Sequence, residues 1–343
     1  MAVTVKYLCG LTADEIFNLI GSPEFNYSHA LAVSNSLYKK RLTNMSQFPG
    51  ISNKLKELLL SQLETGLFSY TKSEESEDKT VKYLFRTSDG REFETVYIPD
   101  GKRRTVCVST QSGCRMGCPL CITGRYGFHG NLTAGEIINQ ILSIPPAGEI
   151  THVVFMGMGE PLDNFDNVAR ACEIATAQWG LALSARNITV STVGIMPAVE
   201  MFLKETDCNL TLSLHSPFPE ERCGIIPVEK KYPAVEIIRI MKESKIRKGR
   251  RLTIAYMMID QFNDTEKHLT GLISLLRGSG LRVNLLPYHG VGDNKMRSSS
   301  PERMHYFKHN LVISGISASV RKSRGEDISA ACGLLAAGMK VRH

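Results

Sequence analysis

From Thr105 onward, short apolar runs alternate with longer stretches in which apolar residues recur every three or four positions. The short runs are typical of strands buried on both faces, and the longer stretches are typical of amphipathic helices. Six such runs occupy residues 105–110, 152–159, 187–194, 209–216, 251–259 and 282–289. This alternation predicts an α/β fold with a parallel sheet, and six strands favour a partial (β/α)6 barrel over a complete eight-stranded one.

The region before Thr105 has a different pattern. Residues 11–66 show helical spacing; Thr12 with Glu15 resembles a capping box, and Ser52 or Asn53 is placed to cap a later helix. We therefore predict a small helical domain that carries a basic face, which is either an ordinary solvated face or an RNA contact.

A polar, acidic run at residues 73–79 then marks a boundary. After it, two β-rich runs flank Asp89-Gly90, which is a strong hairpin signal. The predicted organisation has three parts: a helical domain over residues 1–72, a β-hairpin extension or linker over 73–104, and the barrel with a C-terminal segment over 105–343.

Composition limits the class of protein. The chain has 343 residues, of which 43% are apolar and 22% charged, as in globular proteins. No apolar run approaches membrane-spanning length, and the N-terminus does not resemble a secretory signal, so we expect a cytoplasmic protein without a membrane partner. Nine cysteines then indicate metal or redox chemistry, and the net charge of +7 is compatible with a nucleic-acid partner.

Three of these cysteines, Cys114, Cys118 and Cys121, share one short loop with two glycines and a proline. Thiolates are soft ligands, but a structural zinc site normally has four ligands, and no fourth follows at matching spacing. A [4Fe-4S] cube with three protein ligands leaves one iron open for a small molecule, the arrangement of radical-SAM enzymes. A zinc knob or plain core packing is the alternative; the loop's position after the first barrel strand favours the cluster.

Unusual polar motifs follow the predicted barrel strands at residues 157–160, 191–192 and 213–216, together with Asn284. In such folds the chemistry lies at the carboxyl ends of the strands. A last extended segment, 317–321, precedes Cys332 and places this cysteine at the same rim.

The motifs CRMGCPLC, FMGMGEPLDN, STVGIMP, LSLHSP, VNLLPYH and RGEDISAACG follow one another in an order and spacing that resemble the RlmN/Cfr family of radical-SAM RNA methyltransferases. The resemblance runs from about Glu94 to Ala336, and the helical N-terminus is similar to that family's RNA-binding accessory domain. It implies a [4Fe-4S] cluster and two molecules of S-adenosyl-L-methionine. One molecule methylates a cysteine, and cleavage of the other activates this methyl group for addition to adenine.

The resemblance also implies roles for individual residues. Cys332 matches the methyl-carrying cysteine, Cys107 the cysteine that releases the product, and Glu94 a proton acceptor. Without the resemblance, both cysteines are typical of core-packing thiols and Glu94 of an exposed strand carboxylate. Cys114, Cys118 and Cys121 match the cluster ligands. The implied contacts to S-adenosylmethionine are Gly159, Glu160, Ser191, Ser213, Leu214, His215 and Asn284.

The leading functional hypothesis is methylation of adenine C2 in 23S ribosomal RNA, transfer RNA or both. The alternatives are methylation of a ribosomal adenine at C8, as in the antibiotic-resistance branch of the family, a radical-SAM enzyme with another substrate, and a zinc-containing RNA-binding module. The resemblance further implies a monomer that receives electrons from a donor such as flavodoxin with its reductase.

The sequence departs from the family pattern at Gly130, at His289 and at Leu334, all near the expected rim. These departures leave the chemistry intact and bear on the RNA target. Three basic runs form a candidate phosphate-binding surface: residues 102–104, 247–251 and 321–324.

Overall fold

A computed structural model of the chain describes residues 6–244, 247–291 and 296–336. Residues 1–5 of the predicted helical domain and 337–343 of the predicted barrel segment lie outside it. The strands β1 to β14 are Lys6–Tyr7, Leu63–Glu64, Lys72–Glu75, Val81–Arg86, Glu92–Asp100, Arg103–Cys107, Gln111–Gly113, Phe128–Asn131, His152–Phe155, Ile188–Thr192, Asn209–Ser213, Leu252–Met258, Arg282–Pro287 and Ala318–Val320.

The helices α1 to α11 are Ala13–Ile20, Tyr27–Ser34, Asn53–Gln62, Ile122–Tyr126, Ala134–Leu142, Phe165–Thr176, Ala198–Glu205, Pro219–Ile225, Ala234–Glu243, Glu266–Leu276 and Pro301–Ile313. A π-helical turn at Asn35–Lys39 continues α2. Within the described ranges, no helix combines the length and the apolar character needed to cross a membrane.

The predicted parallel sheet is confirmed. A ten-stranded sheet has the order β14-β13-β12-β11-β10-β9-β6-β5-β4-β3. Its strands from β14 to β6 run parallel. Each of the six predicted apolar runs overlaps one of these parallel strands, and the last extended segment contains β14. The sheet is curved, as contacts between the chain after β14 and the opposite part of the sheet show. Arg324 forms an ion pair of 3.2 Å with Asp100 of β5, and the Ser76 hydroxyl donates to Asp327 over 2.6 Å. This curvature agrees with a partial barrel.

The predicted hairpin is confirmed as β4 and β5, joined at Asp89-Gly90. Gly90 has a φ of +87°, which favours glycine, and its N–H donates to the Thr87 carbonyl over 3.0 Å. The first residues of the acidic run belong to β3, which pairs with β4 as an edge strand, and the rest of the run forms the turn between these two strands. Because β5 also pairs with β6, the extension and the barrel share one sheet.

The helical region begins with the predicted capping box: the Thr12 hydroxyl accepts from the Glu15 N–H over 3.2 Å, and the Thr12 N–H donates to the Glu15 carboxylate over 2.9 Å. Ser52, not Asn53, caps α3. The region lies directly against α5, where Gly10 approaches so closely that a Cβ there would lie 2.5 Å from the Gly135 nitrogen. The helical region and the barrel consequently share one hydrophobic core.

Candidate active site

The three-cysteine loop lies between β7 and α4, at the mouth of the barrel. Its first residue is held by a hydrogen bond of 2.8 Å from the Cys114 N–H to the Gly127 carbonyl, and its last turn by one of 3.2 Å from the Cys121 N–H to the Cys118 carbonyl. Gly117 has a φ of +64°, so the turn between the first two cysteines requires the left-handed conformation that glycine adopts without strain. The loop is thereby folded so that its thiols turn toward one region.

Electrostatics shows that these thiols are close together. Burial, together with the neighbouring charges of Cys121 and Glu160, raises the pKa of Cys118 to about 12. Burial likewise raises the pKa of Cys114 well above its ordinary value, with contributions from Glu160 and the other two cysteines. Crowded thiolates of this kind are stabilised by bound metal, which supplies the missing positive charge.

The number and chemistry of the thiols bear on which metal centre they suit. In the part of the chain that the structure describes, no three His, Cys, Asp or Glu side chains are grouped to hold a single metal ion. A tetrahedral zinc ion would need its thiolates all about 2.3 Å from one centre. A [4Fe-4S] cube binds each cysteine to a different iron and therefore accepts a wider spacing. The donor set fits the cluster in number and chemical softness.

Cys332 lies beside this loop. The segment that follows it runs along the start of α4, where the Ile122 N–H donates to the Gly333 carbonyl over 2.8 Å and the Thr123 hydroxyl to the Leu335 carbonyl over 2.8 Å. The Cys332 side chain is accessible to solvent, yet the protein around it raises the pKa of its thiol by desolvation, with a further contribution from Cys121. Cys332 is thus an exposed residue whose thiol is still influenced by the protein around it.

Cys107 approaches Cys332 from the other side. It ends β6 and is only 8% exposed, and burial raises the pKa of its thiol well above the ordinary value. The charge of Cys332 is the next contribution to this shift, so the two thiols are neighbours although 225 positions separate them in the sequence (332 − 107). The structure therefore places Cys332 near both Cys121 and Cys107.

Glu94 lies under the same segment. The interpretation of this residue as an exposed strand carboxylate is wrong, because Glu94 is 4% exposed. Its carboxylate accepts a hydrogen bond of 2.8 Å from the Ala336 N–H and lies 3.5 Å from the Lys82 ammonium. Glu94 therefore ties the chain that carries Cys332 to the β-hairpin extension.

Glu160 is a second buried carboxylate at the rim. It accepts hydrogen bonds from the Thr192 hydroxyl over 2.6 Å and from the Val193 N–H over 2.9 Å. Burial raises its pKa to about 7, although these hydrogen bonds favour the charged form. Gly159 next to it has a φ of +97°, and a Cβ there would lie 2.5 Å from Gln111, so only glycine fits this approach.

Ser191 and Ser213 stand side by side near the ends of β10 and β11, with their hydroxyl oxygens 3.5 Å apart. His215 follows in a left-handed conformation with a φ of +60°, and its Nδ1 accepts from the Met257 N–H over 3.0 Å. Burial lowers the pKa of His215 to about 3, so the ring is neutral and its proton is on Nε2. Leu214 is buried between them.

Asn284 does not end its strand as expected, because β13 continues to Pro287. The curved sheet nevertheless brings it to the site: Ser213 pairs in register with Ala255, which pairs with Asn284. The Ser319 hydroxyl donates to the Asn284 side-chain oxygen over 2.8 Å and orients the amide.

Sequence reasoning missed Arg222, which lies on α8 and is 1% exposed. Its guanidinium donates to three backbone carbonyls at the ends of β10 and β11 and forms a buried ion pair with Glu229. The three carbonyls belong to Val193, Ser213 and Leu214, at 2.7, 2.8 and 3.1 Å. In sequence, an arginine after two glutamates on a short helix is typical of a solvated face, so no local signal identifies it.

The three departures from the family pattern also have a structural account. Above Gly130, the Arg91 guanidinium donates to the Asn131 carbonyl over 2.5 Å, and a Cβ at Gly130 would lie 2.9 Å from Arg91. His289 accepts or donates a hydrogen bond of 2.8 Å with the Ser323 hydroxyl. Leu334 packs in a small apolar cluster beneath the segment that carries Cys332.

Comparison with known proteins agrees with this site. A family model described as the radical SAM superfamily matches residues 108–273, which contain the three-cysteine loop. A solved structure, a radical SAM methyltransferase from Sphaerobacter thermophilus, superposes with a TM-score of 0.89 at 34% identity and covers 97% of this chain and 99% of its own. The fold and the site thus define a radical SAM methyltransferase.

Relatives give a narrower assignment. A probable dual-specificity RNA methyltransferase RlmN from Parabacteroides distasonis is 40% identical over 339 residues, which are 99% of each chain. The dual-specificity RNA methyltransferase RlmN from Halorhodospira halophila is 36% identical over 323 residues, 93% of this chain and 89% of that protein. The chain belongs to the RlmN family of radical SAM RNA methyltransferases.

Proposed function

We propose that this protein methylates C2 of adenine in 23S ribosomal RNA and in transfer RNA, with Cys332 as the methyl carrier and Cys107 as the thiol that frees the product. The supporting observation is the position of Cys332, which is accessible and neighbours both Cys121 of the loop and Cys107. The names of the relatives, which describe RNA methyltransferases of dual specificity, support the substrate class.

In this proposal, Cys114, Cys118 and Cys121 hold a [4Fe-4S] cluster, and Gly159, Glu160, Ser191, Ser213, Leu214, His215 and Asn284 contact S-adenosylmethionine. When bound, the cluster and S-adenosylmethionine supply the methyl group and the one-electron cleavage that activates it. Glu160 offers a carboxylate to the ammonium of the ligand, and the neutral His215 offers its Nε2–H as a donor. Arg222 holds the strand ends that present Ser213 and Leu214.

The two cysteines act in sequence. The Cys332 thiol gives up its proton when it is methylated, and after the methyl carbon has bonded to adenine its sulfur is part of a thioether. The Cys107 sulfur then attacks the Cys332 sulfur, so that a sulfur–sulfur bond forms as the sulfur–carbon bond breaks and the electron pair leaves with the carbon. A reductant must return the resulting disulfide to two thiols.

Other components are proposed from the family. Flavodoxin with its reductase is the proposed electron donor, the helical domain over residues 1–72 is proposed to bind RNA, and the protein is proposed to act as a cytoplasmic monomer. Glu94, which the resemblance gives as a proton acceptor, is proposed in the first place to hold the segment that carries Cys332.

The test is the Cys107→Ala variant, which retains methylation of Cys332 but has no thiol to release the product. It should therefore accumulate RNA joined covalently to Cys332, visible as a ribonuclease-sensitive shift on a denaturing gel. Cys172→Ala, which removes a buried thiol from α6, is the matched control and should give no adduct.

Mass spectrometry of the RNA from the wild-type reaction distinguishes methylation at adenine C2 from methylation at C8. We expect 2-methyladenosine in both ribosomal and transfer RNA. Finding 8-methyladenosine instead would contradict the C2 assignment, and methylated Cys332 without any adduct in Cys107→Ala would contradict the role of Cys107.

A further inference from the structure

Each of the three basic runs contains an arginine that pairs with a carboxylate and an arginine that does not. In each run one arginine is neutralised by a carboxylate: Arg104 pairs with Glu149 at 2.5 Å, Arg247 with Asp207 at 2.6 Å, and Arg324 with Asp100 at 3.2 Å. Ion pairs of this kind stabilise the local surface and leave little positive charge for a ligand. These arginines therefore do not form a phosphate-binding surface.

Of the other arginines, Arg250 donates to the backbone carbonyls of Leu203 and Thr206. Arg103, Arg251 and Arg321 are exposed and form no ion pair with any carboxylate in the described ranges. The charges of Arg103 and Arg251, after desolvation, lower the pKa of Arg321 and also that of His152. The charges of Arg103 and Arg251, from two separate runs, thus act on the same neighbouring groups, whereas Arg321 follows the carboxyl end of β14.

Arg251 also lines a cleft of about 390 Å³. The cleft is lined by Arg186, Gly249, Arg250, Arg251, Leu252, Gly280 and Arg282. Arg186 and Arg282 add two exposed guanidinium groups without a carboxylate partner in the described chain. We name the unpaired set at this end of the barrel, Arg103, Arg186, Arg251 and Arg282, the basic cleft.

Glycine shapes the floor of the basic cleft. A Cβ at Gly249 would lie 2.1 Å from the Arg186 Nε, so the guanidinium lies flat against the backbone there, where it also donates to the Lys248 carbonyl over 3.2 Å. The Arg186 side chain is thereby held in one position while part of its fork faces the cleft. A partly ordered guanidinium loses less entropy when it binds a phosphate.

The basic cleft does not belong to the active site. Arg103 begins β6, Arg282 begins β13 and Arg251 directly precedes β12, so the cleft lies at the amino ends of the parallel strands. The active site lies toward their carboxyl ends. Along β12, Arg251 is six residues from Met257, whose N–H donates to His215, a separation of roughly 20 Å at the rise of an extended strand.

Four like charges without a carboxylate partner in the described part of the chain repel one another, and the fold gains nothing from their proximity. A polyanion removes this repulsion, and guanidinium groups bind phosphate oxygens in a planar, two-pronged geometry. We propose that the basic cleft binds the phosphate backbone of the substrate RNA, several nucleotides away from the adenine that enters the active site. This inference rests on the proposed RNA methyltransferase function and adds a second contact region on the barrel itself.

The test compares unpaired with paired arginines of the same runs. Arg251→Gln/Arg282→Gln is the test variant, and Arg104→Gln/Arg247→Gln, which removes two ion-paired arginines, is the matched control. Binding of bulk transfer RNA and of a 23S ribosomal RNA fragment is measured with the cluster-loaded enzyme at several salt concentrations. Neutralising two phosphate contacts should lower the slope of log K against log salt by about 1.4 to 1.8.

We expect the test variant to bind both RNAs at least tenfold more weakly at low salt, the control to stay within about twofold, and RNA-independent cleavage of S-adenosylmethionine to be unchanged in both. An unchanged salt slope in the test variant, or an equal loss in the control, would overturn the inference. So would slower reduction by flavodoxin with unchanged RNA affinity, because the cleft would then bind the electron donor. If the wild-type enzyme methylates no RNA, the proposed function fails, whereas normal RNA binding by a variant of an active enzyme refutes the basic cleft alone.

Discussion

Glu94 has two proposed roles, a tether for the C-terminal segment and a proton acceptor, and two substitutions can distinguish them. Its buried carboxylate accepts a hydrogen bond of 2.8 Å from the N–H of Ala336, four positions after Cys332, and lies 3.5 Å from the partly exposed Lys82 ammonium. As a tether, Glu94 must accept this hydrogen bond; as a proton acceptor, it must be basic. Glu94→Gln retains an acceptor oxygen and removes the basicity, whereas Glu94→Ala removes both.

The expected effect on the opening of the segment that carries Cys332 follows from the strength of this hydrogen bond. A bond from a backbone N–H to a carboxylate contributes about 1.5 to 3 kcal/mol. Its loss in Glu94→Ala should shift the opening equilibrium of the segment by roughly 10- to 150-fold, since about 1.4 kcal/mol corresponds to a factor of ten. In Glu94→Gln a neutral bond of about 0.5 to 1.5 kcal/mol replaces it, so the loss is about 1 to 1.5 kcal/mol and the shift roughly 5- to 12-fold.

Hydrogen exchange followed by mass spectrometry measures this opening directly in the peptide that contains Ala336. A single-turnover assay of RNA methylation by the same variants measures the consequence for catalysis. The control is Glu92→Ala, which lies on the same strand and pairs with the exposed Arg86 instead of the C-terminal segment. The tether is refuted if exchange is unchanged in Glu94→Ala, or if Glu94→Gln and Glu94→Ala lose the same activity while the segment stays protected.

Two further predictions concern the strand ends. Arg222→Met should destabilise the protein by about 3 to 5 kcal/mol, because it leaves Glu229 buried without its partner. Arg239→Met, on the exposed face of α9, is the control and should change the stability little. Urea unfolding followed by circular dichroism measures the stability of both variants. Affinity for S-adenosylmethionine should fall as the pH is lowered through about 7, because the raised pKa of Glu160 means that its negative charge is lost in this range. The Glu160→Gln variant should bind weakly at all pH values in equilibrium dialysis, and a pH profile equal to that of the wild type would contradict this role.

Local sequence determined much of this protein. The alternation of apolar runs and helical spacing predicts the parallel strands because burial on both faces of a sheet requires continuous apolar residues. The capping box at Thr12 and the turn at Asp89-Gly90 were predictable because each depends on neighbouring residues alone. The three-cysteine spacing predicts a metal-binding loop for the same reason.

Other features depend on segments far apart in the chain, and only the tertiary structure decided them. The proximity of Cys107 and Cys332 requires the sheet to curve until its ends approach, and the burial of Glu94 requires the C-terminal segment to cross the hairpin extension. Arg222 becomes a structural residue only because two strand ends present carbonyls to it. Similarly, the three basic runs look alike in the sequence. Only the fold decides which of their arginines lie next to a carboxylate, because a charge is neutralised by the groups near it in space.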